Sequence, residues 1–156
     1  MLVRRDPDGA ICLDRLTPLY AETLLRLPEW LALDEDAVRR RLFPDVYEDP
    51  EEQAHWQRYG APELEALFAT RQALVSKDLE SLEQAGSRHY RLWIAKSHEQ
   101  AWLQSLNAAR LTLFARHGLS ASDMELDPAE ATDEDKEIAL VRIHVMAHVQ
   151  EALLQT

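Results

Sequence analysis

A chain of 156 residues has the length of one average domain. Apolar residues make up 46% of it and charged residues 29%, which is typical of a folded protein and excludes a disordered one. The formal net charge of −11 disfavours a general affinity for nucleic acids or anionic membranes, and the single cysteine excludes an intramolecular disulfide and a Cys-rich zinc site.

The first residues lack the apolar core of a signal peptide, and no apolar run approaches the ~20 residues that span a bilayer. Only 4 glycines and 7 prolines occur, which favours helices over a turn-rich β-sandwich. We therefore expect a cytoplasmic protein with a single helical domain over residues 1–156 and no membrane partner.

The first forty residues predict one strand and two helices. The apolar run 10–13 is too short for a helix and predicts a strand. Helical spacing of apolar residues predicts a helix over 16–27, which Pro28 should end because proline disfavours the helical conformation of the residue before it. A second short helix is expected from Asp34, as its N-cap, to Leu42.

The middle of the chain predicts two helices and a strand. A loop at 43–47 should anchor its two aromatic residues, and a brief acidic helix is expected over 51–59. A longer helix is expected over 62–84. The alternating pattern at 89–94 predicts a strand that pairs antiparallel with residues 10–13. The apolar stripe of the longer helix is Leu64, Leu67, Phe68, Leu74, Val75, Leu79 and Leu82.

The last third predicts two long helices around an acidic segment. Ser97 begins a Ser-x-x-Gln capping box before a helix over 98–117. The segment 123–137 holds eight acidic residues and one lysine, and its first half is expected to be an exposed loop. Thr132 should cap the last helix, over 133–155. The fold class is therefore mainly α, a compact helical bundle with a short two-stranded antiparallel β element, whose core comes from the three longest helices.

A polar cluster on the helix over 98–117 is the first candidate site. Asn107 and Arg110 share one face of that helix and follow Trp102. Arg110 is expected to be half-buried, and a half-buried cation needs a carboxylate partner. The cluster is either a recognition patch or a polar clasp between helices, and we favour the clasp. The candidate partners of Arg110 are Glu63, Glu65 and Glu151.

Three consecutive arginines, Arg39, Arg40 and Arg41, form the second candidate site. They could contact nucleic acid, but neighbouring residues on a helix point about 100° apart and do not make one patch. Acidic residues surround them in the sequence, so we favour local salt bridges.

Two histidines on the last helix form the third candidate. His144, His148 and Glu151 share one helical face and could bind a divalent metal ion. The run is not the His-Glu-x-x-His protease motif, and the only Glu-x-x-His spacing, Glu52 with His55, lies on a short segment. We favour two partly buried histidines that pack against other helices, and we expect no cofactor.

Four segments of the chain carry motifs of one bacterial family. The Trp-Leu-x-x-Leu-Asn-x-x-Arg-Leu run at 102–111 resembles the signature helix of the domain of unknown function 2017, and 41–47 resembles the Leu-Leu-Pro-Asp-Ala-Tyr loop of that family. The 51–82 region resembles its Phe/Trp-Arg segment, and 148–153 resembles its terminal Leu-Gln-Glu-x-Leu.

The resemblance implies a small, mostly helical cytoplasmic protein and does not imply an enzyme. Some relatives are described as oxidative-stress transcriptional regulators with a redox-active cysteine pair and a sigma-factor partner. This chain departs from them because Cys12 is its only cysteine. On a short apolar strand, Cys12 is expected to be an inert core residue rather than a redox sensor.

We expect a non-enzymatic regulatory or adaptor protein that contacts another protein, with a basic surface on the transcription machinery as the favoured partner. The acidic segment 123–137 and the cluster of Asn107, Arg110 and Glu151 are the expected contact surfaces. The alternatives are a DNA-binding regulator that uses Arg39–Arg41 and a metal-dependent enzyme that uses the C-terminal histidines. A homodimer through an exposed edge of the β ribbon is also open.

Overall fold

The computed structural model describes residues 1–32, 36–125 and 133–156. Its strands are β1 (Leu2–Arg5), β2 (Ile11–Leu16), β3 (Glu83–Gln84) and β4 (Tyr90–Ile94). Its α-helices are α1 (Pro18–Leu25), α2 (Leu27–Trp30), α3 (Asp36–Leu42), α4 (Pro50–Tyr59), α5 (Ala61–Leu79), α6 (Glu99–Arg116) and α7 (Glu134–Leu154). The mainly α class is confirmed. No helix within these ranges combines the length and apolar character that crossing a membrane requires.

The sheet contains the predicted ribbon and two further strands. β2 and β4 pair antiparallel with Ile11 opposite Ile94 and Leu13 opposite Leu92, as the sequence predicts. The expectation of two strands is wrong, because β1 and β3 extend the sheet to the order β1-β2-β4-β3. β3 has two residues, too few to show a period-two pattern, and β1 carries little apolar character. β1 and β3 cover the two edges of the β2–β4 ribbon, so a homodimer formed through the sheet would have to use one of these outer strands.

A carboxylate joins three strands of this sheet. Asp14 accepts hydrogen bonds from Arg4 on β1 at 2.7 Å and from Arg91 on β4 at 3.4 Å. It also accepts a 2.9 Å bond from the backbone N–H of Arg15, whose φ of 53° lies in the left-handed region at an irregularity of β2. That backbone bond, followed by the two arginine cations, lowers the pKa of Asp14 below its ordinary value.

The core lies between the inner face of the sheet and the helices α1, α2, α6 and α7. Burying these side chains supplies the main driving force for the fold. The fully buried large side chains are Ile11, Leu13, Leu16, Leu24, Leu27, Trp30, Leu31, Leu92, Ile94, Trp102, Leu106 and Leu113. The long α6 and α7 helices pack along each other, as expected.

α5 contributes less to the core than its apolar stripe predicts. Leu64 and Leu67 are 43% and 47% exposed, whereas Val75 and Leu79 near its C-terminus are buried. α4 precedes α5 and buries no residue. Periodicity identified the apolar face of α5 correctly, but that face is fully buried only in its last turns, and Phe68 packs against the core while half-buried.

Several helix boundaries differ from the predicted ones. The helix expected over 16–27 is two helices, and Pro28 lies in the first turn of α2, where a missing N–H costs nothing. The prediction of a capping box at Ser97 is wrong, because Ser97 lies in a 3₁₀ turn and α6 begins without a side-chain cap. Asp133 caps α7 by accepting from the N–H of Asp135 at 2.9 Å. The caps expected at Asp34 and Thr132 lie outside the described residues.

A buried carboxylate ties the end of α5 to the start of α6. Asp78 accepts a 2.9 Å hydrogen bond from Nε1 of Trp102. Both of its oxygens lie 3.0 Å from Nδ1 of His98, and its side chain is 9% exposed. A buried carboxylate is costly unless its oxygens are paired, so these two contacts fix the relative position of the helices.

We expect Trp102→Phe to lower the free energy of unfolding by about 1–3 kcal/mol, because the buried carboxylate of Asp78 loses one of its donors. Urea unfolding measures the change. The matched control is Trp93→Phe, since Trp93 is 38% exposed. Equal losses in the two variants would contradict this role for the Trp102 side chain.

The stability of the sheet should depend on pH through Asp14. Because its pKa in the fold is depressed, its stabilising contacts are present above the ordinary value of 3.8 and are lost as the pH falls through the lower folded value. We expect Asp14→Asn to be less stable than the wild type at neutral pH, and we expect this difference to shrink as the pH falls below 3.8, measured by urea unfolding. A stability difference that does not change with pH would count against this assignment.

Candidate functional site

A groove between α5 and α6 is the best-formed concave site in the described part of the chain. It encloses about 460 Å³, within the range of small-molecule sites. Its apolar walls are Leu42, Phe43, Leu64, Phe68, Leu103 and Leu111. Its polar lining residues are Arg71, Gln100, Gln104, Asn107 and Gln150. We call this site the α5–α6 groove.

The groove exists because α5 is attached to α6 at one end only. Asp78 and Leu79 hold the C-terminal turns of α5, whereas Leu64, nearer its start, is exposed and lines the groove together with the half-buried Phe68. Phe43, in the loop after α3, packs edge-on against Phe68 at 5.6 Å between ring centroids. This contact closes one side of the groove with rigid apolar surface.

The predicted polar cluster is only partly assembled. Asn107 is exposed and lines the groove. Nη1 of Arg110 donates to Oε1 of Gln150 at 2.9 Å, and Nε2 of Gln150 donates to the carbonyl of Leu103 at 3.2 Å. The expected carboxylate partner of Arg110 is therefore a carboxamide. Arg110 is half-buried, and its Nε is buried without a hydrogen-bond partner among the described residues.

The other two predicted members lie elsewhere. Trp102 is fully buried beside Asp78, and Glu151 is exposed and accepts from Gln155 at 3.1 Å. The interpretation as a clasp between helices holds for Arg110, because Gln150 belongs to α7 and bonds to α6.

Sequence reasoning missed Gln150, Gln104 and Arg71. Gln150 lies seven residues after Ile143 and four after Met146, so it is a polar residue within the buried stripe of α7. The amides at positions 100, 104 and 107 recur at helical spacing on one face of α6. A search for polar residues inside apolar stripes would have found both sets.

A second concave surface lies on α4. Its aromatic residues are Tyr47, His55, Trp56 and Tyr59, and its acidic residues are Asp49, Glu51 and Glu52. The rings of Tyr47 and Trp56 pack edge-on at 6.4 Å, and the rings of His55 and Tyr59 lie 4.7 Å apart. We call this open depression, of about 710 Å³, the α4 surface.

Gln53 and Gly60 hold the α4 surface in shape. Oε1 of Gln53 accepts from the N–H groups of Val46 and Tyr47 at 3.0 and 2.9 Å, which fastens the loop onto α4. The ring of Trp56 lies so close to Gly60 that a Cβ there would come within 2.2 Å of it. Tyr47 and Trp56 are thus held in place by backbone and packing constraints.

The three arginines of α3 have different environments. Arg39 forms an ion pair with Glu65 of α5. The guanidinium of Arg41 lies 5.7 Å from the ring centroid of Phe114, in cation–π geometry, and Arg40 is exposed. The salt bridge of Arg39 that the structure describes joins α3 to α5 and is made to a residue distant in the sequence.

The C-terminal histidines are exposed, and the expectation of partly buried imidazoles is wrong. Nδ1 of His148 lies 2.5 Å from the hydroxyl of Tyr20, whose ring packs edge-on against it. Among the described residues, no three His, Cys, Asp or Glu side chains come together in a group that could hold a metal ion. His144, His148 and Glu151 share a helical face without forming such a group.

The acidic segment is described only in part. Asp123–Glu125 forms a 3₁₀ turn, in which Ser120 donates to the Asp123 carboxylate through its hydroxyl and its backbone N–H and lowers the pKa of that carboxyl. Residues 126–132, which belong to the expected contact surface over 123–137, lie outside the described residues.

A family model described as a domain of unknown function, DUF2017, matches residues 4–156. The chain belongs to the DUF2017 family. The resemblance inferred from the four sequence segments is thereby confirmed. No curated protein and no solved structure matches the chain.

The four segments that carry the DUF2017 resemblance meet at the α5–α6 groove. The segment 41–47 contributes Leu42 and Phe43, and 51–82 contributes Leu64, Phe68 and Arg71. The run 102–111 forms the opposite wall, and 148–153 contributes Gln150. Segments that are distant in the sequence therefore share one cavity.

Cys12 of this DUF2017 chain is buried on the face of β2 opposite to the core residues Ile11 and Leu13, near Arg4 and Arg91. It is 1% exposed, and burial raises the pKa of its thiol. A buried, protonated thiol is a poor nucleophile and reacts slowly with oxidants.

We expect Cys12 to resist a chromogenic thiol reagent in the native protein, because the reagent needs an accessible thiolate. The same protein unfolded in guanidinium is the control and should react with one thiol per chain. Release of the chromophore, followed by absorbance, measures both rates. Fast labelling without denaturant would contradict the inert role.

Proposed function

We propose that this protein is a non-enzymatic regulatory or adaptor protein that binds a partner protein through the α4 surface. One observation carries the proposal: α4 buries no residue, yet it and the loop before it present aromatic groups in fixed positions. Tyr47 and Tyr59 are 44% and 59% exposed. Exposed apolar surface with a polar rim is typical of protein interaction sites, in which tyrosine and tryptophan are enriched.

The charge of the α4 surface favours a basic partner. Asp49, Glu51 and Glu52 border the aromatic rings, and the chain as a whole carries a net charge of −11. Arginine and lysine side chains bind carboxylates and also stack on aromatic faces. A basic segment would thus gain both contacts, and long-range attraction would speed its encounter with the protein. A basic surface on the transcription machinery has this chemistry.

No structural observation favours the two alternative functions. The arginines of α3 are divided between an ion pair, a cation–π contact and solvent, which does not give the focused basic patch of a DNA-binding surface. The metal hypothesis lacks a grouped set of ligands within the described residues.

The test is affinity capture from native cells with the wild type and with a triple variant, Glu51→Gln, Glu52→Gln and Tyr59→Ser. These three side chains are exposed, so the variant should fold normally. We expect the partner identified with the wild type to bind the variant about tenfold more weakly, because ion pairs and a cation–π contact are lost. Raising the salt concentration should weaken the wild-type complex in the same direction.

The matched control carries Glu80→Gln and Asp8→Asn, which remove the same two negative charges at exposed positions away from α4. It should bind the partner nearly as well as the wild type. A partner that binds all three proteins equally, at low and high salt, would refute the α4 surface as the binding site.

A further inference from the structure

The α5–α6 groove contains a cation without a counter-ion. Arg71 lines it, and no Asp or Glu is among its lining residues. Within the described part of the chain, Arg71 makes no ion pair or hydrogen bond. A guanidinium beside apolar walls is stabilised by an anion that it can bind through two parallel N–H groups.

The chemistry of the groove selects a carboxylate over a phosphate. One guanidinium neutralises a single negative charge, whereas a phosphate brings close to two and would lie inside a protein with a net charge of −11. The other polar side chains, Gln100, Gln104 and Asn107, are neutral amides, whose NH₂ groups can donate to the second oxygen of a carboxylate.

One of these amides is incompletely satisfied. Oε1 of Gln104 is buried, and no described residue donates to it. A carboxylate cannot donate to this oxygen, so the contact of a carboxylate ligand with Gln104 would be made through the NH₂ group of the amide.

The rest of the groove fits an apolar body. Leu64, Phe68, Leu103 and Leu111 form its walls, and about 460 Å³ accommodates a small molecule. We propose that the α5–α6 groove binds a monocarboxylate with an apolar tail, with its carboxylate on Arg71 and its tail against these walls. This proposal is independent of the α4 surface and goes beyond binding of a partner protein.

The test compares octanoate with 1-octanol, which has the same chain length and no carboxylate. Isothermal titration calorimetry on the full chain measures affinity, and amide chemical shifts report where the probe binds. We expect octanoate to bind at one site at least about tenfold more tightly than 1-octanol, with shifts in α5 and α6.

Two variants test separately the contact with the carboxylate of the ligand and the contact with its apolar tail. Arg71→Gln should reduce octanoate affinity about tenfold, to the level of 1-octanol, while the exposed control Arg88→Gln leaves it unchanged. Leu111→Trp fills the groove and should abolish the binding of both probes. Thermal unfolding confirms that each variant is folded.

Equal affinities for octanoate and 1-octanol, no saturable binding, or shifts outside the groove would each overturn the proposal. The triple variant of the α4 surface should bind octanoate like the wild type. The two proposals can therefore fail separately.

Discussion

The attachment of α5 to α6 through the Asp78 carboxylate determines the shape of this protein outside its core. The bonds to His98 and Trp102 hold only the C-terminal end of α5. In the N-terminal half of α5, Phe68 packs against the core while Leu64 and Leu67 stay exposed, and the space between this half and α6 becomes the α5–α6 groove. A buried, paired carboxylate specifies one arrangement of two helices because every other arrangement leaves a charge unpaired.

The same constraint places α4 on the outside. α4 runs directly into α5 at Gly60, and since Leu64 and Leu67 in this part of α5 stay exposed, α4 buries none of its residues. The same arrangement of α5 thus produces both sites. The α5–α6 groove is the unfilled space between α5 and α6, and the α4 surface belongs to the uncovered helix that precedes α5. Leu64 and Trp56 help to line a further depression between them, which makes the two sites neighbours.

The sequence predicted tertiary contacts correctly where the pattern within an element is enough to identify its partner. The strands at 10–13 and 89–94 were paired correctly, because each has one short apolar run and a lone strand needs a partner. It failed for the N-terminal half of α5, because a stripe such as Leu64 and Leu67 shows which face is apolar but not whether another element covers it. The partner of Arg110 was missed for a related reason: a carboxylate was expected, and the fold brought Gln150 instead.

The sequence by itself determined the mainly α class, the positions of α6 and α7, the central strand pair and the family, because strong periodicity and local motifs act over a few residues. Only the tertiary structure decided that Asp78 is buried, that Arg71 faces amides across a cavity, and that Tyr47 is fastened beside Trp56 by Gln53. Those contacts join residues from separate elements. Their energies depend on distance and burial, which are set by the packing of the whole chain.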